Sequence, residues 1–409
     1  MIPYEEALDL LTRSVPPPRR RRVPLADALG RVLAEDVAVD RDIPPFDKVV
    51  MDGYAVRWVD LERGWRSFRL VGTAVPGTPC PVPIGPGEAV RVATGAPLPR
   101  NADTVVVVEH AEMGGDKSVV VLQVPDPGAH VVRRGEEHRA GALALPGGVR
   151  LSPARLAVLA SVGCTDPLVF TPPRISILTT GGELVRPQER PGPYEIRDSN
   201  ATFLASLARQ FGLPVTDVRH CLDDPTALRT HLETPDWDCL LITGGVSMGH
   251  VDFVPTAVEA AGFVTLFHKV AIRPGKPILA ARREDRVVLA LPGNPVSAAV
   301  GFLVLGLPLF HAWEGQTRRG LPWLKAKVLE PLRLRPGRRW FRPARLEVSE
   351  DGNLGVRLTP FKGSADLISF ASADALLTCP PECEEIPKGA PVDVIPLLGG
   401  AADVFFPLG

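Results

Sequence analysis

The hydrophobic positions change their spacing four times along the chain. Residues 3–40 begin on a helical rhythm, with Tyr4, Leu8 and Leu11 three to four apart, and a second short helix follows Leu25 and stops at Gly30. From about 46 to 138, short apolar runs lie between Gly, Pro and Asp turns, and 90–93, 104–109, 118–124 and 130–133 read as strands of a compact β domain. A helix at 153–161 then returns. Residues 1–45 and 139–171 are therefore expected to form one discontinuous, elongated N-terminal unit, with the β domain 46–138 inserted in it. Between 172 and 317, strands at 175–179, 215–219, 239–243 and 287–291 alternate with helices at 202–211, 225–232, 253–261 and from Pro295. That alternation predicts a doubly wound, mostly parallel α/β sheet. From 318 to 409 short strands return at 325–329, 354–358 and 392–396, and a small C-terminal β barrel is expected. The class is α/β multidomain.

Length and composition narrow the function classes. A chain of 409 residues, 45% of them hydrophobic, can bury several cores and is neither disordered nor a coiled coil nor a disulfide scaffold. Its net charge of -1 supplies no global positive field to recruit nucleic acid. The four arginines at 19–22 follow three prolines and read as a solvated turn. Proline, with 44 copies, is about twice as frequent as usual, which suits rigid loops and many strand ends. The six cysteines form no C-x-x-C pair, and Cys379 and Cys383 have no His neighbour to complete a zinc site. Met1-Ile2-Pro3-Tyr4-Glu5-Glu6 lacks a basic-then-apolar leader, and the longest apolar run, 298–310, is too short for a membrane span. The expectation is a reduced, cytoplasmic protein with no membrane or nucleic-acid partner.

Ligands of an open parallel sheet bind beyond the carboxyl ends of its strands. Three strands of the third region run into glycine-rich loops there: Thr179-Thr180-Gly181-Gly182-Glu183, Thr243-Gly244-Gly245-Val246-Ser247-Met248-Gly249 and Pro292-Gly293-Asn294-Pro295. Glycine lets backbone N–H groups converge on an oxyanion, although a single such loop often just ends a strand. None is a Walker A loop or a dinucleotide fingerprint. Lys269, Arg273 and Lys276 place three cations beside a Gly-Pro turn, for which a solvated turn is the alternative. Glu183, Asp223 and Asp252 each follow a strand, where carboxylates could hold a hydrated divalent cation on phosphate oxygens; helix N-capping is the alternative for Asp223. Together these features describe a phosphorylated, nucleotide-bearing ligand with Mg²⁺.

The run Ile43-Pro44-Pro45-Phe46-Asp47-Lys48-Val49-Val50-Met51-Asp52-Gly53-Tyr54-Ala55-Val56 resembles the signature of molybdopterin molybdenumtransferases, the MoeA-type enzymes related to the C-terminal domain of gephyrin. Thr94-Gly95-Ala96-Pro97-Leu98-Pro99, Arg134-Gly135-Glu136, Asp198-Ser199-Asn200, the 244–249 loop with Asp252, the 274–277 turn and Leu291-Pro292-Gly293-Asn294-Pro295 continue the resemblance in order along nearly the whole chain. It implies a homodimer whose cleft lies between the α/β domain of one subunit and the first domains of the other. It also implies a reaction taking molybdate and adenylylated molybdopterin to molybdenum cofactor and AMP, aided by Mg²⁺, with a molybdopterin adenylyltransferase as the upstream donor.

By position, the resemblance assigns Asp52, Thr94, Glu137, Asp252, Lys269, Arg273 and Lys276 to catalysis, with Asp52 handling molybdate. It assigns Thr180, Gly181, Glu183, Asp198, Ser199, Asn200, Gly244, Gly245, Val246, Ser247, Pro292, Gly293, Asn294, Pro295 and Ser364 to substrate binding, and Glu183, Asp223 and Asp252 to Mg²⁺. The chain departs from the family pattern where Lys48-Val49-Val50 replaces Asn-Ser-Ala, where Glu137 replaces Asp, where Gly182 precedes Glu183, at Arg273 for Lys, and at Ala365 after Ser364. Two other readings compete. Adenylyl transfer would use the same α/β domain but not the Met51–Tyr54 motif, and a pterin-holding scaffold would carry an interaction tail.

Overall fold

A computed structural model describes residues 1–115, 117–246, 253–316, 319–348 and 352–397. At its centre a six-stranded sheet runs in the order Val215–Cys221, Ile175–Thr180, Cys239–Thr243, Arg286–Leu291, Leu279–Arg283, Val264–His268. The first four strands are parallel, and the last two close the edge antiparallel. The register sets Thr179 beside Thr243 and Thr243 beside Leu291, so three strand-end loops leave one edge of the sheet together.

Alternation along the strands feeds two cores. Ile175, Ile177, Leu241 and Leu289 pack with Leu204 and Phe302 on one face, while Leu178, Leu240, Ile242 and Val288 pack with Leu228, Leu232, Val254 and Val258 on the other. Each such side chain contributes roughly 1.5–3 kcal/mol when fully buried, so the strand ends that carry the loops are rigidly held.

The helix Pro295–Trp313 has the length and apolarity of a membrane span, but 94% of it is buried inside the protein as a core helix. Pro308 does not end it. Proline has no N–H to offer Val304 O, the carbonyl one turn back, and the Tyr4 hydroxyl donates to that oxygen at 3.1 Å. Burial raises the Tyr4 pKa to about 12, keeping the phenol protonated as a donor. The helix Tyr4–Arg13 buries Tyr4, Ala7 and Leu11 in the α/β core rather than in the N-terminal unit.

Beyond that helix, Arg20–Arg22 pairs with Leu168–Phe170 and Val37–Ala38 with Leu143–Leu145, around Val23, Leu33, Leu151 and Leu159. The segment after Leu25 is a single tight turn of helix, Leu25–Asp27. Residues 53–121 contribute a second six-stranded sheet, which includes the strand Ser67–Ala74 that the hydrophobic pattern did not mark.

In the C-terminal region Leu324–Val328, Leu354–Leu358, Arg339–Val348, Ala375–Cys379 and Pro391–Pro396 close into a five-stranded barrel. A two-residue strand, Ile272–Arg273, pairs in parallel with Arg339 and Trp340 and ties the basic turn of the α/β domain to the barrel.

Candidate functional site

The three strand-end loops enclose a cavity of about 430 Å³. Thr180, Gly181, Glu183, Asn200, Asp223, Gly244, Gly245, Val246, Pro292, Gly293 and Asn294 line it, so most of the residues singled out in the α/β domain converge. Gly244 has φ +97°, and a Cβ there would lie 2.6 Å from both Thr180 O and Thr180 Oγ1, so no other residue fits this crossing of two loops. Two histidines fix the loops. His220 Nε2 lies 2.9 Å from Gly181 O and His268 Nε2 3.1 Å from Val246 O; since a carbonyl only accepts, both nitrogens carry the proton.

The acidic residues separate by role. Asp224, not Asp223, caps the helix Pro225–Glu233 by accepting from Thr226 N at 2.9 Å, which leaves Asp223 free to face the cavity with Glu183. Asp252 and Ser247 lie outside the described residues. Among the described residues no three His, Cys, Asp or Glu side chains form a metal-binding group. Asp198 is a supporting residue: it accepts from Thr179 Oγ1 at 2.7 Å and caps the helix Ser199–Gln210 through Ala201 N at 3.0 Å. Ser199 and Pro295 open their helices and do not line the cavity.

A second cavity, of about 480 Å³, shares Pro277, Pro292 and Asn294 with the first. Among the described residues its charged side chains are Arg273, Lys276, Arg338, Arg342 and Lys362, and no carboxylate lines it. Trp340 carries Arg273 4.6 Å and Arg342 5.3 Å from its ring centroid. Burial, and then the charges of neighbouring arginines, lower the pKa of both guanidiniums. Arg342 Nε is also buried without a partner. Like charges gathered in this way suit an oxyanion. Ser364 closes the wall, its Oγ accepting from Asn294 Nδ2 at 3.0 Å and its carbonyl from Val296 N at 3.1 Å.

Sequence reasoning missed the barrel's share of this cavity, namely Arg338, Trp340, Arg342, Phe361 and Lys362. The signal was present in the run Arg338-Arg339-Trp340-Phe341-Arg342, where three arginines flank two aromatic residues at the start of a strand. Conversely, Lys269 lines neither cavity, so the expected trio of cations is a pair there. Its backbone at φ +75° turns the chain, donating to Ile278 O at 2.9 Å and accepting from Ile2 N at 3.1 Å.

The residues picked in the inserted domain line neither cavity of the same chain. Asp52 Oδ1 accepts from Thr94 N at 2.7 Å and from Thr94 Oγ1 at 2.9 Å, and the backbone bond followed by the hydroxyl lowers its pKa. Glu137 lies 3.3 Å from Lys48 Nζ. Two departures from the family pattern are therefore one ion pair, the longer acid reaching the lysine.

Comparisons with known proteins cover nearly the whole chain. The MoeA N-terminal region (domain I and II) matches residues 2–163, a probable molybdopterin binding domain matches 176–312, and the MoeA C-terminal region (domain IV) matches 325–397. The molybdopterin molybdenumtransferase of Synechococcus elongatus is 35% identical over 96% of this chain and 99% of its own length. That of Haemophilus influenzae is 29% identical over 97% and 98%. The crystal structure of the molybdopterin biosynthesis moeA protein from Pyrococcus horikoshii OT3 superposes with a TM-score of 0.83 at 28% identity, covering 97% of this chain and all of that one. The chain belongs to the MoeA family of molybdopterin molybdenumtransferases.

Proposed function

We propose that this chain inserts molybdate into adenylylated molybdopterin, releasing AMP and the molybdenum cofactor, with Mg²⁺ bound and with the site completed in a homodimer. Transfer of molybdenum to molybdopterin, a step of molybdenum cofactor biosynthesis, is the activity of the family to which the chain belongs. One observation carries the finer reading: a cavity with loop N–H groups and two carboxylates adjoins a cavity with five cations, and the 292–295 loop is their common wall.

The two cavities suit the two substrates. Glycine-rich loops at strand ends can hold the phosphate and nucleotide part of the pterin in the first. Arg273, Lys276, Arg338, Arg342 and Lys362 can neutralise a tetrahedral dianion such as molybdate in the second and keep it next to the pterin. Glu183 and Asp223 suit Mg²⁺, which takes one or two carboxylates and completes its shell with phosphate oxygens and water; bound there, it would neutralise the charge of the phosphoanhydride. Ser364 and Asn294 orient the wall between the substrates.

Asp52 and Thr94, held together but away from both cavities, support a site that a second subunit completes. The same reading takes adenylylated molybdopterin from a molybdopterin adenylyltransferase and places the reaction in the cytoplasm. The test is AMP release by the purified chain from adenylylated molybdopterin with Mg²⁺. Release that rises with added molybdate supports the proposal, and release indifferent to molybdate refutes it.

A further inference from the structure

The wall between the two cavities is pinned from both sides. From the barrel, Ser364 takes hydrogen bonds from Asn294 Nδ2 and Val296 N. From the α/β side, Asn200 Nδ2 donates to Gly293 O at 2.7 Å and reaches Thr243 Oγ1 at 3.4 Å. Asn200 is 8% exposed, and its Oδ1 is buried without any partner. A buried amide that satisfies only its donor end is costly to keep. An apolar side chain of the same shape would avoid that cost, so stability alone does not account for an amide here.

What the Nδ2 donor accomplishes is spacing. It links the end of one strand, Thr243, to the loop after the neighbouring strand, Gly293. These loops already touch, since a Cβ on Gly293 would lie 3.6 Å from Gly244 Cα. The rest of the 292–295 loop has little else to hold it on this side, because Pro292 and Pro295 have no N–H and Gly293 has no side chain.

We propose that Asn200 is a positioning residue for molybdenum insertion: by holding Gly293 O it sets the wall between the cavities, and thereby the approach of the two substrates, without offering an accessible polar atom to either. The inference rests on the molybdate-insertion reading. It is distinct from direct substrate binding by Asn200, the role implied by the family resemblance, because Oδ1 is closed off from the cavity and Nδ2 is already used on protein oxygens.

Two variants test it. Asn200→Leu keeps the shape and removes the donor. Its kcat for molybdate-dependent AMP release should fall ~10- to 100-fold, the size of effect expected when reacting groups are misplaced by about 1 Å, while both KM values change less than about 3-fold. Asn200→Asp offers Gly293 O an O–H donor while protonated, the form that burial favours, and loses it on ionising. Its activity relative to wild type should therefore fall as pH rises, and the same ratio measured for Asn200→Leu, which cannot titrate, separates this loss from the titration of Glu183 and Asp223 in the same cavity.

A purely structural role for Asn200 would lower the melting temperature and leave kcat unchanged at temperatures where the variant stays folded, which would overturn the inference. A raised KM for the pterin nucleotide with unchanged kcat would also overturn it, by assigning Asn200 to substrate contact. If Asn200→Leu does not fold, a flat pH ratio for Asn200→Asp overturns the inference and one that falls as pH rises supports it. A wild-type chain without molybdate-dependent release would overturn both this inference and the reading beneath it, whereas an active wild type with insensitive variants overturns this one alone.

Discussion

Replacing Arg342 by Met keeps a long apolar stem beside Trp340 and Phe361 and removes the guanidinium. In the native chain that cation sits 5.3 Å and 5.6 Å from the two ring centroids, beside Arg273, with Nε buried and unpaired. A charge-assisted hydrogen bond contributes roughly 1.5–3 kcal/mol, so losing it from a bound oxyanion weakens affinity ~10- to 150-fold. Stability should move the other way or stand still. Two lost cation–π contacts remove about 0.5–1 kcal/mol each, and relief of the repulsion from Arg273 together with release of a desolvated charge offsets a comparable amount. The assay is calorimetric titration of molybdate into Arg342→Met and wild type, with urea unfolding of both. Weaker molybdate binding with stability within about 1 kcal/mol is the expected result. Affinity within two-fold of wild type, or a variant destabilised by more than about 3 kcal/mol, would refute the reasoning that these cations gather for an anion.

His311 is buried and neutral, with Nδ1 accepting from Gly320 N at 3.0 Å; burial, then the charge of Arg150, lowers its pKa from 6.5 to about 4. The stability it contributes is present above pH 6.5 and is lost as pH falls toward 4, ~2 kcal/mol of it by pH 5; His311→Gln, which keeps an acceptor, should flatten that part of the urea-unfolding profile. Gly244→Ala should abolish molybdate-dependent AMP release, and it should destabilise the fold by ~1–3 kcal/mol because of its left-handed backbone and its contact with Thr180; full activity in the release assay would count against the loop geometry. Mixing inactive Asp52→Ala with inactive Lys276→Ala should restore about a quarter of wild-type activity if each cleft draws on two subunits, since half the dimers would be mixed and each would hold one intact site; no recovery after subunit exchange would argue for a site within one chain.

The α/β core was the most legible part of the sequence. Two of its strands, Ile175–Thr180 and Cys239–Thr243, are short β-branched and leucine runs that end at glycine, and Cys239–Thr243 appears with the bounds its pattern suggested, as do Pro153–Ser161 in the N-terminal unit and Leu354–Leu358 in the barrel. Strands without that signature were missed. Leu279–Arg283 ends in two arginines, and Arg339–Val348 mixes Arg with aromatic residues and contains a proline, so neither alternates cleanly. The same blindness hid half of the basic cavity. Lys276 is visible beside its Gly-Pro turn, but Arg342 joins it only through the pairing of Ile272–Arg273 with the barrel, a contact between distant segments that no local pattern encodes. Position alone likewise could not divide Asp223 from Asp224, because both stand before the same helix and only the geometry shows which one caps it.

The central claim is that molybdate occupies the basic cavity while the pterin nucleotide occupies the loop-lined one across the 292–295 wall. Anomalous diffraction from crystals soaked with molybdate or tungstate locates the heavy atom directly. The account predicts a peak among Arg273, Lys276, Arg342 and Lys362, next to Ser364. A strong peak beside Glu183 and Asp223, with none among those cations, would contradict it.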